Sequence, residues 1–242
     1  MPFCHHFAIV LTAVKPRTRL SFVPAKGTLY RSTPADSWSW IKIDVPTRLV
    51  PLTVAPILYL WLRHRPATDF GLTFSHAGRD LLLAVPLGLT AFAIAAVFHE
   101  YLSRRSHRWF VPDEPDLLVQ SAYYVLLNAP IEEWFFRGFV QGSLIQWSHA
   151  PAAGLLATTA IFGAYHFLGR WGWRQVTGTT VAGLALGVIY LWQPGPPSLL
   201  LPTIVHAAFT CGFLSLGPYL IFSYRRVRGR FRPHAEAATP VS

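Results

Sequence analysis

Two adjacent carboxylates, Glu132 and Glu133, stand in the stretch Ala129-Pro130-Ile131-Glu132-Glu133-Trp134-Phe135-Phe136-Arg137-Gly138. Their surroundings are apolar, and one charge at the centre of a bilayer costs ~2.5–3.5 kcal/mol even on the lenient insertion scale. Glu133 and Arg137 are spaced i, i+4, which sets an ion pair along one face of a helix. Glu132 lies ~100° around that helix and does not share the pairing. One carboxylate is therefore neutralised and structural. The other is left to meet water in a cavity, where it can serve as a general base. A blander reading, a salt bridge that stabilises a helix hairpin or sits at an interfacial helix end, accounts for Glu133 and Arg137 and leaves Glu132 unexplained.

Two more ionisable residues stand in apolar runs. His166 ends Ile161-Phe162-Gly163-Ala164-Tyr165-His166, and His206 lies in Pro202-Thr203-Ile204-Val205-His206-Ala207-Ala208-Phe209. A lone histidine in an apolar helix is usually a packed, hydrogen-bonded residue. Two of them, on separate spans of a chain that also carries the glutamate pair, point to a shared site. Imidazoles orient a water, hydrogen-bond a developing oxyanion or bind a metal. A zinc site wants three protein ligands and an open position, and Glu132, His166 and His206 are three candidates if a metal is present. Zinc and no cofactor at all both stay open. Asn128, one turn before the pair, either hydrogen-bonds the site or shares a helix kink with Pro130. His99-Glu100 lacks the second histidine of a zincin motif, since Ser103 stands there, and reads as an interfacial helix end. Serine-hydrolase elbows, phosphate loops and dinucleotide fingerprints are not found.

The elements that must position these residues are membrane helices. Charged residues make up 13% of the 242, about half the usual ~25%, and mean hydropathy is +0.35. Spans are expected at about 45–62, 81–102, 117–147, 152–168, 177–192 and 199–224. Most approach the ~20 residues that a ~30 Å hydrocarbon core requires, and single segments in lipid must be helical to satisfy their backbones. The fold class is all-α, a polytopic helical bundle of about six transmembrane helices. Residues 1–44 read as a basic, disordered arm, 45–224 as the catalytic domain and 225–242 as a basic tail. Phe7–Val14 is short and lacks a charged region before it, so a cleaved signal peptide is not expected. The net charge of +10 comes from 18 Arg and 3 Lys, clustered at the ends of apolar runs. These are topology determinants and not a nucleic-acid surface. Six spans put both termini on the cytoplasmic side, with Arg63, Arg65 and Arg79 against the pattern. Gly183 and Gly187 form a G-x-x-x-G that predicts close helix packing. Cys4 and Cys211 are isolated and suggest neither a disulfide framework nor a metal motif.

In order and spacing, Glu132-Glu133 to Arg137, then Phe162 to His166, then His206, resemble the CPBP (or Abi) family of type II CAAX prenyl proteases and bacteriocin-processing proteins, over about residues 60–224. The resemblance implies a glutamate-dependent intramembrane protease, with its site inside the bilayer and open to the cytosol. Glu132 with His166 would activate water. His206, with the residue four positions on, would hold the oxyanion. That residue is usually Asn or Asp and here is Thr210, which reaches less far. Metal-dependent and metal-free mechanisms have both been ascribed to the family.

The function expected is thus endopeptidase cleavage of a membrane-associated or C-terminal peptide, by CAAX-type or sorting-tag-type processing. Its partners are membrane lipid and a membrane-anchored protein or peptide substrate, with no nucleic acid. The expected location is the bacterial inner membrane. The competing readings are a non-catalytic immunity or scaffold protein, which Thr210 favours, and a transporter. A transporter would spread its charged residues over more spans.

Overall fold

The computed structural model describes residues 28–168, 172–193 and 197–228. The expected basic arm up to residue 27, and the tail beyond residue 228, lie outside the described residues. Those that are described are nearly all helical, as the composition requires. A short parallel ribbon, for which the sequence carries no local signal, pairs β1 (Thr28–Ser32) with β2 (Arg108–Pro112).

Residues 28–44 are not a disordered arm. Thr33 opens a capping box in which its backbone N–H and its hydroxyl both donate to Asp36 at 2.8 Å, and Pro34 occupies the first helical position. From that start helix α1 (Pro34–Leu62) runs 29 residues. Helix α2 (Ala77–Ser106) follows, and β2 leads from it into α3, a helix over 114–148. Then come α4 (Pro151–Leu168), α5 (Trp173–Trp192), α6 (Leu200–Leu214) and α7 (Leu216–Val227). Among the described residues three helices are long and apolar enough to cross a membrane: α1, α2 and α5. The pair α6–α7, bent by 41°, makes a fourth if it is one span. The expected count of six spans is thus met by three or four.

Close packing runs through small residues. On α2 the exposed Leu82, Val85, Leu89 and Val97 share one face and form an outward apolar stripe. The opposite face, with Ala84, Gly88 and Ala95, lies against α6, and Ala96 lies under Gly217 of α7. A Cβ at Gly212 would stand 2.5 Å from the Phe92 carbonyl oxygen, so nothing larger than glycine fits that crossing. The expected contact of the G-x-x-x-G is present: a Cβ at Gly183 would stand 2.6 Å from the Phe162 ring, and one at Gly187 2.9 Å from Gln141.

Helix α3 is the one that carries the glutamate pair, and it is not uniformly α-helical. It widens into π-helical turns at Tyr124–Asn128 and again at Trp134–Gln141. A third wide turn, Val45–Leu49, interrupts α1. Two of the three end two residues before a proline, Pro51 and Pro130. A helix-interior proline removes one hydrogen bond and crowds the carbonyl four residues back, and a widened turn relieves both.

Candidate functional site

The two glutamates diverge as their spacing requires. Glu133 is fully buried, and its Oε1 accepts from Arg137 Nη1 at 2.9 Å, the expected i, i+4 pair. Arg137 is itself buried. Its Nη2 donates to the Gly183 carbonyl at 2.9 Å, and its guanidinium lies 4.6 Å over the Phe162 ring. Gln141, one turn on, donates to the Gly187 carbonyl at 3.1 Å. The glycine pair of α5 therefore admits α3 closely enough for two buried side chains to reach its backbone.

Glu133 has a second partner. His206 Nδ1, arriving from α6, lies 2.7 Å from Glu133 Oε1. An ionised carboxylate only accepts, so Nδ1 carries the proton in this contact. The other ring nitrogen, Nε2, stands 3.8 Å from Glu132 Oε2. One imidazole thus bridges the two carboxylates of the pair. Thr210 is buried one turn further along α6.

Glu132 is not free, contrary to the expectation that it meets water unpaired. Its Oε1 accepts from Asn128 Nδ2 at 2.9 Å and from Arg48 Nη1 in a very short contact. Of the two readings of Asn128, the hydrogen bond to the site is therefore present, and the wide turn before Pro130 accompanies it. His166 comes from α4. Its Nδ1 lies 2.9 Å from the Phe162 carbonyl oxygen, so that nitrogen donates, and a neutral ring in this tautomer carries its lone pair on Nε2. The F-x-x-x-H spacing is hence one helical turn: Phe162 gives its carbonyl to His166 and its ring face to Arg137. Both histidines lie within electrostatic reach of Glu132.

Sequence reasoning passes over Arg48. It stands in the apolar α1 with Asp44 one turn before it, a signal of the same kind as Glu133 and Arg137. Asp44, Tyr123 and Tyr165 complete its surroundings. Asp44 falls in the segment expected to be a disordered arm.

The metal set expected from residue types does not fit. Among the described residues no three His, Cys, Asp or Glu side chains converge as ligands. A guanidinium on Glu132 Oε1 opposes a cation at that oxygen.

Residues 114–212 match the family model described as Rce1-like, type II CAAX prenyl endopeptidase. The matched segment runs from the start of α3 into α6 and holds Asn128, Glu132, Glu133, Arg137, His166, His206 and Thr210. Arg48 and Asp44 lie outside it. No curated protein and no solved structure matches the chain.

Proposed function

Because residues 114–212 match the Rce1-like, type II CAAX prenyl endopeptidase family, we propose that the protein is an intramembrane endopeptidase whose base is Glu132. The observation that carries this reading is the unequal use of the two Glu132 oxygens. Oε1 is held by Arg48 and Asn128, while Oε2 faces the ring edge of His206 at 3.8 Å. A water beside Oε2 gives its proton to Glu132 as its oxygen attacks the scissile carbonyl carbon. His166 Nε2, as a lone-pair acceptor, orients that water. The tetrahedral oxygen gathers negative charge, and His206 donates to it from Nε2 when the ring has taken a second proton from solvent, with Glu133 balancing the imidazolium through Nδ1. The proton on Glu132 then passes to the amide nitrogen as the C–N bond breaks, giving an amine and a carboxylic acid, and the acid gives its remaining proton to the amine or to solvent, leaving a carboxylate.

The substrate on this reading is a C-terminal or membrane-proximal peptide of a membrane-anchored protein. In support, an apolar groove of about 510 Å³ opens between α2, α5 and α6, lined by Ile94, Phe98, Val181 and Leu186. It reaches Val205, the neighbour of His206, and Arg174 stands in its wall. A lipid chain fits such a lining. The bacterial inner membrane with cytoplasmic termini is part of the same proposal. The non-catalytic reading keeps one point in its favour, Thr210 in place of the usual Asn.

The decisive variant is Glu132→Gln. It is expected to insert and accumulate normally and to cleave nothing. Comparing the C-termini of membrane proteins in cells carrying wild type or variant reads this directly. Identical termini in the two strains would reject proteolysis in favour of the non-catalytic reading. Because the ligand set does not converge, wild-type cleavage is expected to persist after prolonged chelation.

A further inference from the structure

Arg48 comes from α1, outside the family-matched segment, and no feature of the motif order calls for it. Its guanidinium has five N–H donors, and all five are engaged. Nε donates to Asp44 Oδ1 and one Nη2 hydrogen to Asp44 Oδ2, both at 2.6 Å. The second Nη2 hydrogen goes to the Tyr123 hydroxyl at 2.8 Å. One Nη1 hydrogen goes to the Tyr165 hydroxyl at 2.8 Å, and the other to Glu132 Oε1. Tyr123 in turn donates to Asp44 in a short contact.

This full engagement decides what Arg48 does. It has no donor left for a substrate carboxylate, so it is not a receptor for the C-terminus of the substrate. Its plane is fixed on one edge by the two Asp44 oxygens, in a bidentate fork. On the other edge it meets α3 and α4 through Glu132 and Tyr165. We propose that Arg48 is a positioning residue: anchored by Asp44 and Tyr123, it holds Glu132 by Oε1 so that Oε2 is the oxygen presented to the attacking water. Asn128 shares the task. Arg48 lies in one proline-associated wide turn and Asn128 ends another, and the two turns deliver both groups to the same carboxylate oxygen. The inference rests on the endopeptidase reading for its kinetic consequence, but not for the contact itself.

The variants are Arg48→Lys, which keeps a charge without the fork, and Arg48→Gln, which removes the charge. Each is purified as the full chain in detergent. The first readout is turnover of a quenched, prenylated CAAX peptide. Misplacing the base is expected to lower kcat on the order of 100-fold in Arg48→Gln with KM little changed, and less in Arg48→Lys. The second needs no substrate. A hydrophobic carbodiimide is reacted with each protein, and adduct on Glu132 is quantified by peptide mass spectrometry. With its Oε1 released, Glu132 is expected to label several-fold faster in Arg48→Gln than in wild type.

If wild type does not cleave the peptide but labelling rises as stated, the contact stands and the peptidase reading loses support. If wild type cleaves, and both variants keep its kcat and labelling rate, the positioning role is wrong. A variant that merely unfolds would lose thermal stability and label at all buried carboxylates. Arg48→Lys, with a wild-type melting temperature, separates that case: unchanged kcat and unchanged Glu132 labelling in it would overturn the proposal.

Discussion

Arg137 is among the largest side chains buried without exposure, and it is held by charge and not by volume. Its Glu133 partner also accepts from His206, and Glu133 Oε2 has no hydrogen-bond partner among the described residues. Breaking such a pair from one side leaves a buried charge uncompensated, at a cost of ~3–5 kcal/mol. Glu133→Gln is therefore expected to lower thermal stability in detergent sharply. Glu133→Gln combined with Arg137→Met removes both charges and is expected to recover much of that loss without recovering activity, since His206 Nδ1 still lacks its carboxylate. Melting curves and turnover of the three proteins decide it. A double variant no more stable than the single would show that Arg137 serves through its bond to Gly183 and not through Glu133. The same side chains mark how far a sequence is legible. Glu133 with Arg137 can be read because both lie one turn apart on one helix. Glu132 with Arg48 cannot, because 84 residues separate them and only tertiary packing brings α1 onto α3.

At the scale of the element, proline and the wide turn are one device. Pro130 follows the wide turn Tyr124–Asn128, and that turn sets where Asn128 points relative to Glu132. An interior proline costs a helix ~3 kcal/mol relative to alanine, so its presence beside the site is a stability sacrifice. Pro130→Ala should let the turn tighten to a regular α-helix. The expected result is a protein of equal or higher melting temperature and lower kcat, because Asn128 rotates off Oε1. Lower stability with unchanged kcat would show the wide turn to be independent of the proline. Elements are also where the sequence misleads. Residues 28–44 look disordered by average composition, yet Thr33-Pro34-Ala35-Asp36 is a readable capping signal, and Asp44 to Arg48 is a readable i, i+4 pair. Averaging over the whole arm hides both. The short β1–β2 ribbon is not legible, because a parallel pairing across about 80 residues leaves no local pattern.

At the scale of the whole molecule, helix directions follow from the contacts that bind them. Arg137 reaches Gly183 and Gln141 reaches Gly187, so α3 and α5 run parallel. Gly88 faces Ala208 and Gly212 faces Phe92, so α2 and α6 run parallel as well. One end of the bundle then gathers the β1–β2 ribbon, the end of α2, the start of α3 and the end of α7. There Arg225 pairs with Glu100 at 2.5 Å, and Tyr219 bonds Glu114 at 3.1 Å. Arg104, Arg105, Arg226 and Arg228 belong to that end, which the excess of arginine would retain in the cytoplasm. Two of the three arginines that disturb the charge pattern are neutralised where they stand: Arg65 by Asp69 and Arg79 by Asp80. Orientation can be read with single cysteines introduced at His149, in the turn between α3 and α4, and at Arg228, in a background lacking Cys4 and Cys211. An impermeant maleimide applied to intact cells is expected to label position 149 and to reach position 228 only after permeabilisation. The opposite pattern would invert the molecule and put the basic end outside. Labelling of both positions in intact cells would mean that α3 does not pass from one side to the other. In that case the glutamate pair would sit on a helix that dips into the bilayer and returns.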